Sequence, residues 1–438
     1  MIDKIDFRAI KSFNGTVIDK CILLSEKEFI SSKLSKSKNK KTIYGGSLNS
    51  YVPCAYGNNI VTVLGKNTFI NPINENDKTI TVGADIKIYE LFNFLKENNY
   101  LLKVMPGYSS ATIGACVATN IHGKNQYKDG NFSKYICEIK LKSLNNKIQY
   151  LSSTKNKNLF KLTIGGFGVT GQIISVKLFV EKLKSHYFLQ KTCKFIIDKQ
   201  FIKIFRKYSQ KSEYVYTIHI TSKNKFFGNG LFVHGNFLKN IKNENFPKVK
   251  NIFFYKNIFN FSLFNRFTSL LFNKFLLFKF HKSNNQKILI NDIYFPINKN
   301  KLYYSFFSNK GFYEYQVIIP YNNFINFFNN FKKIYFTSAV TITLLTSKLF
   351  KGKKSFLNFN GSGICLTINL NKNIDSYLFL SKIDALCIKY GCIVNIIKDS
   401  RINRSTIAAL YGKEYDSFVI SIKPFLKRFN SYLLQKLL

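Results

Sequence analysis

Residues 107–125 decide the fold and read GYSSATIGACVATNIHGKN. Their glycine-containing turns present backbone N–H groups with little side-chain obstruction, which is what a diphosphate needs for close approach. Similar segments lie before this stretch, at residues 45–51 (GGSLNSY), and after it, at residues 165–171 (GGFGVTG). One such loop is often only a tight turn, but three in succession predict a nucleotide site.

The most easily recognised phosphate motifs are absent from the sequence. There is no GxxxxGK[ST] loop, and residues 166–171 lead into a strand-like stretch instead of opening a helix. A P-loop and a Rossmann dinucleotide fold are therefore both excluded. Because His, Cys and carboxylate residues show no metal-ligand spacing, we also predict no metal site.

The pattern around these loops predicts an α+β unit. We expect a strand over residues 79–82, then a helix with an apolar face at residues 88–95 that Asp85 would cap. Residues 136–151 predict a hairpin and residues 172–180 a further strand.

The balance of charge is extreme. Lys and Arg number 66 against 23 Asp and Glu, a formal net charge of +43, although A- and T-rich codons also favour Lys, Asn, Ile and Phe. The charge leaves open a non-enzyme alternative, a protein that binds nucleic acid or an anionic surface. Within the sequence there is no CxxC pair, no signal-peptide pattern and no apolar run of the ~20 residues that span a membrane. We therefore expect a cytoplasmic protein, with peripheral contact at the inner membrane surface as the alternative.

The sequence resembles a known family over nearly its whole length. Residues 82–125, 163–178, 311–316 (GFYEYQ) and 398–401 (KDSR) are similar to flavoproteins of the vanillyl-alcohol oxidase type. Within that family the similarity points to oxidases of polyprenylphosphoryl ribose. The resemblance implies an α+β fold, with a two-part FAD-binding domain of the PCMH type and an α+β substrate domain that contains an antiparallel sheet.

The same resemblance implies the domain organisation. Residues 1–185 would form the FAD-binding domain and residues 186–392 the substrate or cap domain. Residues 393–438 would return to the FAD and active-site region. Longer strand-like runs beyond residue 185 agree with a sheet in the second domain.

The resemblance further implies which residues hold FAD. The first loop would bind the diphosphate by its backbone, the second stretch would continue the cradle and pass beside the flavin, and one residue would lie near the adenine. The positions are Gly45, Gly46, Ser47, Leu48, Asn49, Ser50, Tyr51, Gly107, Thr112, Ile113, Gly114, Ala115, His122, Gly123, Lys124, Asn125, Ile173 and Asn395. Related flavoproteins that attach FAD covalently often use a His in the first loop; none is present, so we expect noncovalent FAD.

A second group of positions matches the family's substrate pocket. It consists of Tyr51, Lys124, Tyr294, Glu314, Gln316, Lys348, Cys365, Thr367 and Lys398. Glu314 stands where the family has Gln, Asn395 where it has Tyr, and Asn49 where its first loop has Arg. Thr367 replaces a Cys of some members. The departures at Glu314, Thr367 and Asn395 bear on the substrate and leave the flavin interpretation intact. The departure at Asn49 removes a charged contact and bears on the geometry of the first FAD loop.

Lys398 and His122 are the candidate catalytic residues, each placed by its motif. A lysine there can stabilise negative charge on a reduced flavin, bind a substrate phosphate, or act as a base once desolvated. The sequence leaves these three roles open. A lone His is more often structural, and only His122 among the five His lies in a motif.

The leading hypothesis is an FAD-dependent oxidoreductase that transfers a hydride from a secondary alcohol of a sugar to the flavin. The sugar could carry a polyprenyl phosphate, and a separate NADH-dependent reductase would then reduce the keto-sugar to complete an epimerisation. An aldonolactone or another soluble sugar alcohol is the alternative substrate. Nucleic acid is an improbable partner.

The Phe- and Lys-rich stretch at residues 251–282 is the remaining feature. Its interleaved apolar and basic residues predict either an interfacial helix that acts as a lid and touches an anionic membrane, or an ordinary amphipathic helix.

Overall fold

The computed structural model describes residues 7–35, 37, 39–143, 146–238, 247–251 and 259–438. The N-terminal elements are β1 (Phe7–Lys11), β2 (Val17–Ser25), α1 (Glu26–Ser31), a 3-10 helix (Lys33–Ser35), β3 (Thr42–Gly45) and β4 (Val61–Leu64). Their strands form a small sheet in the order β1-β2-β4-β3, in which β4 pairs in parallel with both neighbours. The first glycine-rich loop begins at the carboxyl end of β3.

A second small sheet completes the N-terminal half. Its region contains β5 (Thr79–Gly83), α2 (Ile88–Glu97), β6 (Tyr100–Leu101), α3 (Ile113–Thr119), α4 (Gln126–Asp129), a 3-10 helix (Phe132–Tyr135), β7 (Ile136–Lys142), β8 (Ile148–Ser152), α5 (Lys157–Thr163), β9 (Gln172–Phe179) and β10 (Glu181–Lys182). The antiparallel order is β5-β9-β7-β8, and β6 pairs with β10. The predicted first strand, hairpin and last strand are confirmed, while turn residues 144–145 lie outside the described residues.

The prediction that Asp85 caps the following helix is wrong. The N-cap of α2 is Lys87, whose N–H donates to Glu90 Oε2 at 2.8 Å. Asp85 instead accepts the backbone N–H of Asn67 at 2.9 Å. The Asp85 carboxylate therefore binds the loop at Asn67, just before α2, and does not cap the helix.

A large antiparallel sheet dominates the second half. The elements are β11 (Tyr187–Phe195), α6 (Phe201–Lys211), β12 (Tyr214–His219), β13 (Gly230–Phe237), α7 (Arg266–Lys282), β14 (Gln286–Leu289), α8 (Ile290–Tyr294), α9 (Pro296–Lys299), α10 (Lys301–Ser305), β15 (Phe312–Ile319), a 3-10 helix (Tyr321–Asn323), α11 (Phe324–Phe336), β16 (Ile342–Phe350), β17 (Gly363–Asn371) and α12 (Ile374–Lys389). Among the described residues the order is β14-β11-β13-β12-β16-β17-β15, and the short strand at Ile393–Val394 adds the eighth position. Helices α6, α11 and α12 cover one face with phenylalanines, so this face is the main core.

The C-terminal segment connects the two halves. It contains β18 (Ile393–Val394), α13 (Arg404–Tyr411), α14 (Lys413–Ile422), a 3-10 helix (Lys423–Phe425) and α15 (Tyr432–Leu437). Strand β18 pairs with β15, and further on Thr42 donates its N–H to Arg428 O at 2.8 Å and accepts the N–H of Asn430 at 3.1 Å. The segment thus touches both the large sheet and the strand before the first loop, while the boundaries at residues 185 and 392 stay predictions.

The Phe- and Lys-rich stretch is described only in part. Residues 252–258 lie outside the described residues, and residues 266–282 form α7, which packs against β11, β13 and β16.

Candidate active site

A cavity of about 870 Å³ lies between the N-terminal glycine loops and the open face of the large sheet. Its walls include Gly46, Gly107 and His122 on one side and Glu314 and Lys398 on the other. The three glycine-rich segments and the KDSR segment, far apart in sequence, therefore share one space.

The first loop presents unused backbone donors to this cavity. Within the described part of the chain, none of the N–H groups of residues 47–51 donates a hydrogen bond. Leu48 has a φ of 55°, which turns successive N–H groups toward one side, as in anion-binding nests. The loop is fixed by the Ser47 hydroxyl, which donates to Ser110 O at 2.6 Å. This geometry suits a diphosphate.

Two close approaches explain why glycine is needed in this cradle. A Cβ on Gly46 would lie 2.2 Å from Thr112 Oγ1, and one on Gly65 would lie 2.3 Å from Asp85 Oδ2. Both distances are too short for any side chain. By contrast, a Cβ on Gly107 would approach no described atom closer than 3.7 Å, from Pro296. Gly107 faces the cavity.

Gln172 marks a second polar position in the cradle. The residue is 2% exposed and lines the cavity beside Ile173, yet neither its side-chain N nor its side-chain O has a hydrogen-bond partner. A buried primary amide with donor and acceptor both unused costs free energy unless a ligand supplies partners. The edge of a purine ring offers that pair, so the residues present fit a flavin adenine dinucleotide.

Glu314 is the centre of a hydrogen-bonded cluster at the other end. Lys398 Nζ lies 2.9 Å from its Oε1, and the Tyr51 hydroxyl donates to its Oε2 at 3.1 Å. Gln316, two residues along β15 and therefore on the same face, donates to Oε1 at 3.1 Å and accepts the amide of Asn395 at 2.9 Å. Five predicted site residues, Tyr51 of the first loop among them, are thus held in one network.

The KDSR segment owes its position to a buried ion cluster. Arg401 donates from Nη1 to Asp384 Oδ2 at 2.6 Å and from Nη2 to Asp384 Oδ1 at 3.1 Å, a two-pronged contact with α12. Its Nη2 also contacts Asp399 Oδ2 at 2.8 Å. Such bidentate pairs fix geometry as well as charge. The Asp and Arg of KDSR therefore position Lys398.

Burial changes the proton affinity of the lysines that line the cavity. It lowers the pKa of Lys398, an effect that the Glu314 carboxylate opposes. Burial likewise lowers the pKa of Lys348, with the charge of Lys398 adding to the effect. Burial and the neighbouring Lys348 lower the pKa of Lys124 to about 7, although Asp292 opposes them. The wall thus carries three lysines that bind a proton less tightly than a free lysine does, and the charge on Lys124 changes near neutral pH.

His122 lies among aromatic rings. Its ring centroid is 5.0 Å from that of Phe350 and 5.4 Å from that of Phe359. Burial, together with the charges of Lys348 and Lys398, lowers its pKa well below the usual value. The imidazole is therefore neutral at physiological pH and suits a hydrogen-bonding role better than that of a charged group.

The structure brings nearly all predicted positions to the cavity. Ile113 is the one predicted cofactor residue that does not line the cavity as far as the structure describes it. Its side chain belongs to the same hydrophobic core as the buried side chains of α2. Of the predicted substrate residues, Cys365 lies off the lining; it is fully buried opposite Lys348 on the neighbouring strand. Tyr294, Thr367 and Ile173 line the wall. The individual roles stay predictions.

Several lining residues were not identified from the sequence. They include Asp85 and Gln172 in the cradle, Tyr216 beneath Lys124 Nζ at 4.6 Å from the ring centroid, and Phe272, Leu276 and Phe280 of α7. A single Gln after a glycine loop is not a recognisable motif. The apolar residues of α7 are not confined to one face of the helix, so the sequence does not show which of them face a cavity.

Comparison with known proteins identifies the chemistry of the cavity. Residues 31–152 match the family described as FAD binding domain. A decaprenylphosphoryl-beta-D-ribose oxidase of Mycolicibacterium smegmatis is 22% identical over 367 residues, which are 78% of this chain and 77% of that protein. This chain is an FAD-linked oxidoreductase. The match implies a fold of the vanillyl-alcohol oxidase type for this domain, and the enzyme acts on CH–OH groups.

Shorter matches connect this FAD-linked oxidoreductase to lactone oxidases. D-arabinono-1,4-lactone oxidases of Debaryomyces hansenii and Eremothecium gossypii are 32% and 26% identical over 99 and 95 residues. Those matches cover 23% and 22% of this chain and 18% of each lactone oxidase. Across the described ranges, the oxidoreductase has no helix with the length and apolar character needed to cross a bilayer.

Proposed function

We propose that this FAD-linked oxidoreductase oxidises a secondary alcohol of a sugar that is attached to a polyprenyl phosphate. The relative named for a decaprenylphosphoryl ribose matches over most of both chains, whereas the lactone oxidases match over less than a quarter of this one. That difference in coverage supports the lipid-linked sugar over a free lactone.

The observation that carries the proposal is the Lys398–Glu314 pair, which lies in the same cavity as the FAD cradle. FAD, when bound, supplies the hydride acceptor. Loss of a hydride from an alcohol carbon requires that the hydroxyl proton leave to a base. Burial lowers the pKa of Lys398 although Glu314 opposes this shift, and in its neutral form Lys398 Nζ takes this proton while Glu314 holds the amine in place.

Glu314 has a second consequence for the site. It already accepts from Tyr51, Gln316 and Lys398, so most of its lone pairs are occupied and the carboxylate stays rigid. A substrate hydroxyl entering this network finds a fixed acceptor and a fixed amine. Groups held in place reduce the entropy that is lost when the reactive geometry forms, and this raises the rate.

Lys124 and Lys348 give the cavity its preference for an anion. Both line the cavity wall, and the pKa of each is lowered by burial beside other cations. A bound phosphodiester would pair with these side chains and favour their protonated form. A neutral aldonolactone offers no such charge, so the lysines favour the phosphate-linked sugar.

Anaerobic bleaching of the flavin tests the proposal. Polyprenylphosphoryl ribose should reduce the flavin absorbance of the purified protein, and D-arabinono-1,4-lactone should not. Bleaching by the lactone alone would replace the lipid-linked sugar with the alternative substrate. The keto-sugar product would then serve as substrate for an NADH-dependent reductase, and the combined enzymes should yield the epimeric sugar.

A further inference from the structure

The solvent-facing stripe of α7 is apolar, which is the reverse of an ordinary surface helix. Phe267, Leu271, Phe275 and Phe278 follow one another at helical spacing and are 67%, 49%, 60% and 57% exposed. We refer to these four residues as the α7 face. A contiguous exposed apolar surface of this kind marks an interaction site.

The opposite side of α7 is tied to the protein by polar groups. Asn273 is 1% exposed, donates to His219 O at 3.0 Å and accepts the N–H of Thr221 at 3.3 Å. Because these bonds fix the rotation of the helix, the α7 face cannot turn inward without leaving buried polar groups unpaired. The apolar exposure is therefore built into the fold.

The positive charges around the α7 face are not neutralised. The sequence has no Asp or Glu between residues 245 and 291. Among the described residues, Arg266, Lys274, Lys279 and Lys282 form no ion pair. Apolar residues flanked by unpaired cations match a bilayer with anionic head groups. A second copy of the chain would bring like charges together, so it matches less well.

The cavity opens at the edge of this surface. Phe275 and Leu302 both line the cavity and are 60% and 65% exposed, which places them at its mouth. Phe272, Leu276 and Phe280 of α7 continue the apolar wall inside. An acyl or prenyl chain can therefore pass from the α7 face into the cavity along one apolar surface.

We propose that the α7 face docks on the surface of an anionic lipid bilayer, with the mouth of the cavity directed at the lipid. The docking itself rests on the geometry of α7, whereas the entry of a polyprenyl chain through this mouth rests on the proposed function. Docking would keep the prenyl chain in lipid while only the sugar phosphate enters the cavity.

Vesicle flotation of the FAD-loaded full chain tests the docking. Wild type should float with vesicles of phosphatidylcholine and phosphatidylglycerol and much less with phosphatidylcholine alone. The variant Phe267→Ser/Leu271→Ser/Phe278→Ser, none of which lines the cavity, should lose at least about tenfold in partitioning. Replacing Lys274 and Lys282 by Gln should weaken binding about fivefold for each residue.

A matched control distinguishes binding through the α7 face from nonspecific binding caused by the overall charge or by other exposed apolar residues. The variant Phe179→Ser/Phe226→Ser/Leu378→Ser removes three residues of comparable exposure, 47%, 52% and 53%, elsewhere on the surface. It should float like wild type. All variants should keep their flavin absorbance, which verifies the fold.

Three results would overturn the docking. They are no flotation of wild type, equal flotation of the α7 variant and wild type, and a wild-type dimer in free solution that the α7 variant dissociates, which would make the face a protein interface. Flotation requires no substrate and flavin bleaching requires no vesicle, so failure of the docking and failure of the proposed function are distinguishable.

Discussion

The ammonium of Lys398 lies 3.3 Å from the centroid of the Tyr51 ring, over its face. Tyr51 ends the glycine loop that presents its N–H groups to the diphosphate, and Lys398 belongs to the KDSR segment near the C-terminus. Once Lys398 has taken a proton, the face of the Tyr51 ring stabilises the resulting cation electrostatically. Cofactor loop and candidate base are therefore in direct contact, so displacement of either should be detected at the other.

Replacement of Lys398 by Ala should leave FAD bound but slow flavin reduction by roughly 10²–10⁴-fold, the usual contribution of a general base. Stopped-flow absorbance with substrate under anaerobic conditions measures this rate. Lys389→Ala, an exposed lysine on α12, is the control and should reduce at the wild-type rate. A Lys398→Ala protein that is reduced as fast as wild type would remove Lys398 from the mechanism.

Glu314→Gln should shift the pH dependence of flavin reduction. The carboxylate raises the pKa of Lys398, so its loss lowers that pKa and makes the free amine available at lower pH. The rising limb of the rate against pH should move to lower pH. Glu97→Gln, at an exposed ion pair with Lys248, should leave the profile unchanged. Loss of flavin reduction at every pH, with no shifted limb, would show that the Glu314 carboxylate rather than Lys398 takes the proton.

Lys124 should make anion binding depend on pH. With a pKa lowered to about 7, the side chain is cationic below that pH and loses its charge above it. Affinity for a phosphate-bearing sugar should therefore fall as pH rises through about 7, measured by perturbation of the flavin spectrum. Lys124→Met should weaken binding at pH 6 and flatten the dependence. An unchanged slope in this variant would place the titrating group elsewhere.

Gly46→Ala should reduce FAD occupancy and lower Tm, since the new Cβ would sit 2.2 Å from Thr112 Oγ1. Overpacking of this kind costs about 1–3 kcal/mol. Calorimetry and the ratio of flavin to protein absorbance give both quantities. Gly107→Ala is the comparison: its Cβ has room against the protein, so Tm of the FAD-free protein should not change.

FAD should be released when the protein is precipitated with acid, because no His occupies the loop at residues 45–51. The supernatant should carry the yellow colour and the washed pellet should be colourless. Colour retained in the pellet after washing would demonstrate a covalent bond.

Local signals predicted much of the fold and the cavity. The hairpin of residues 136–151 follows from alternation and a polar turn, and the glycine loops follow from close approach of backbones. Lys398 was identified from a motif whose Asp and Arg prove to be its support. In each case the feature could be predicted because the residues that determine it are close together in the sequence.

Other features depend on contacts that no local pattern encodes. Asp85 suggested a helix cap, but a loop N–H at Asn67 competes for its carboxylate. Cys365 and Thr367 are two residues apart on β17, which predicts that both face the cavity. Thr367 does line the cavity, but Cys365, paired with Lys348 on the neighbouring strand, does not. In α7 apolar residues lie on the outward face as well as the inward face, and the hydrogen bonds of the buried Asn273 help to fix which side faces the protein.

The pairing of Thr42 with residues 428–430 limits how early the N-terminal sheet can complete its folding during synthesis. Strand β3 is synthesised early, but its partner at residues 428–430 is synthesised almost four hundred residues later. Contacts of such long sequence separation form slowly. We therefore expect FAD to bind late, because a nascent chain stalled before residue 428 would lack the partner that fixes β3 and the glycine loop that follows it.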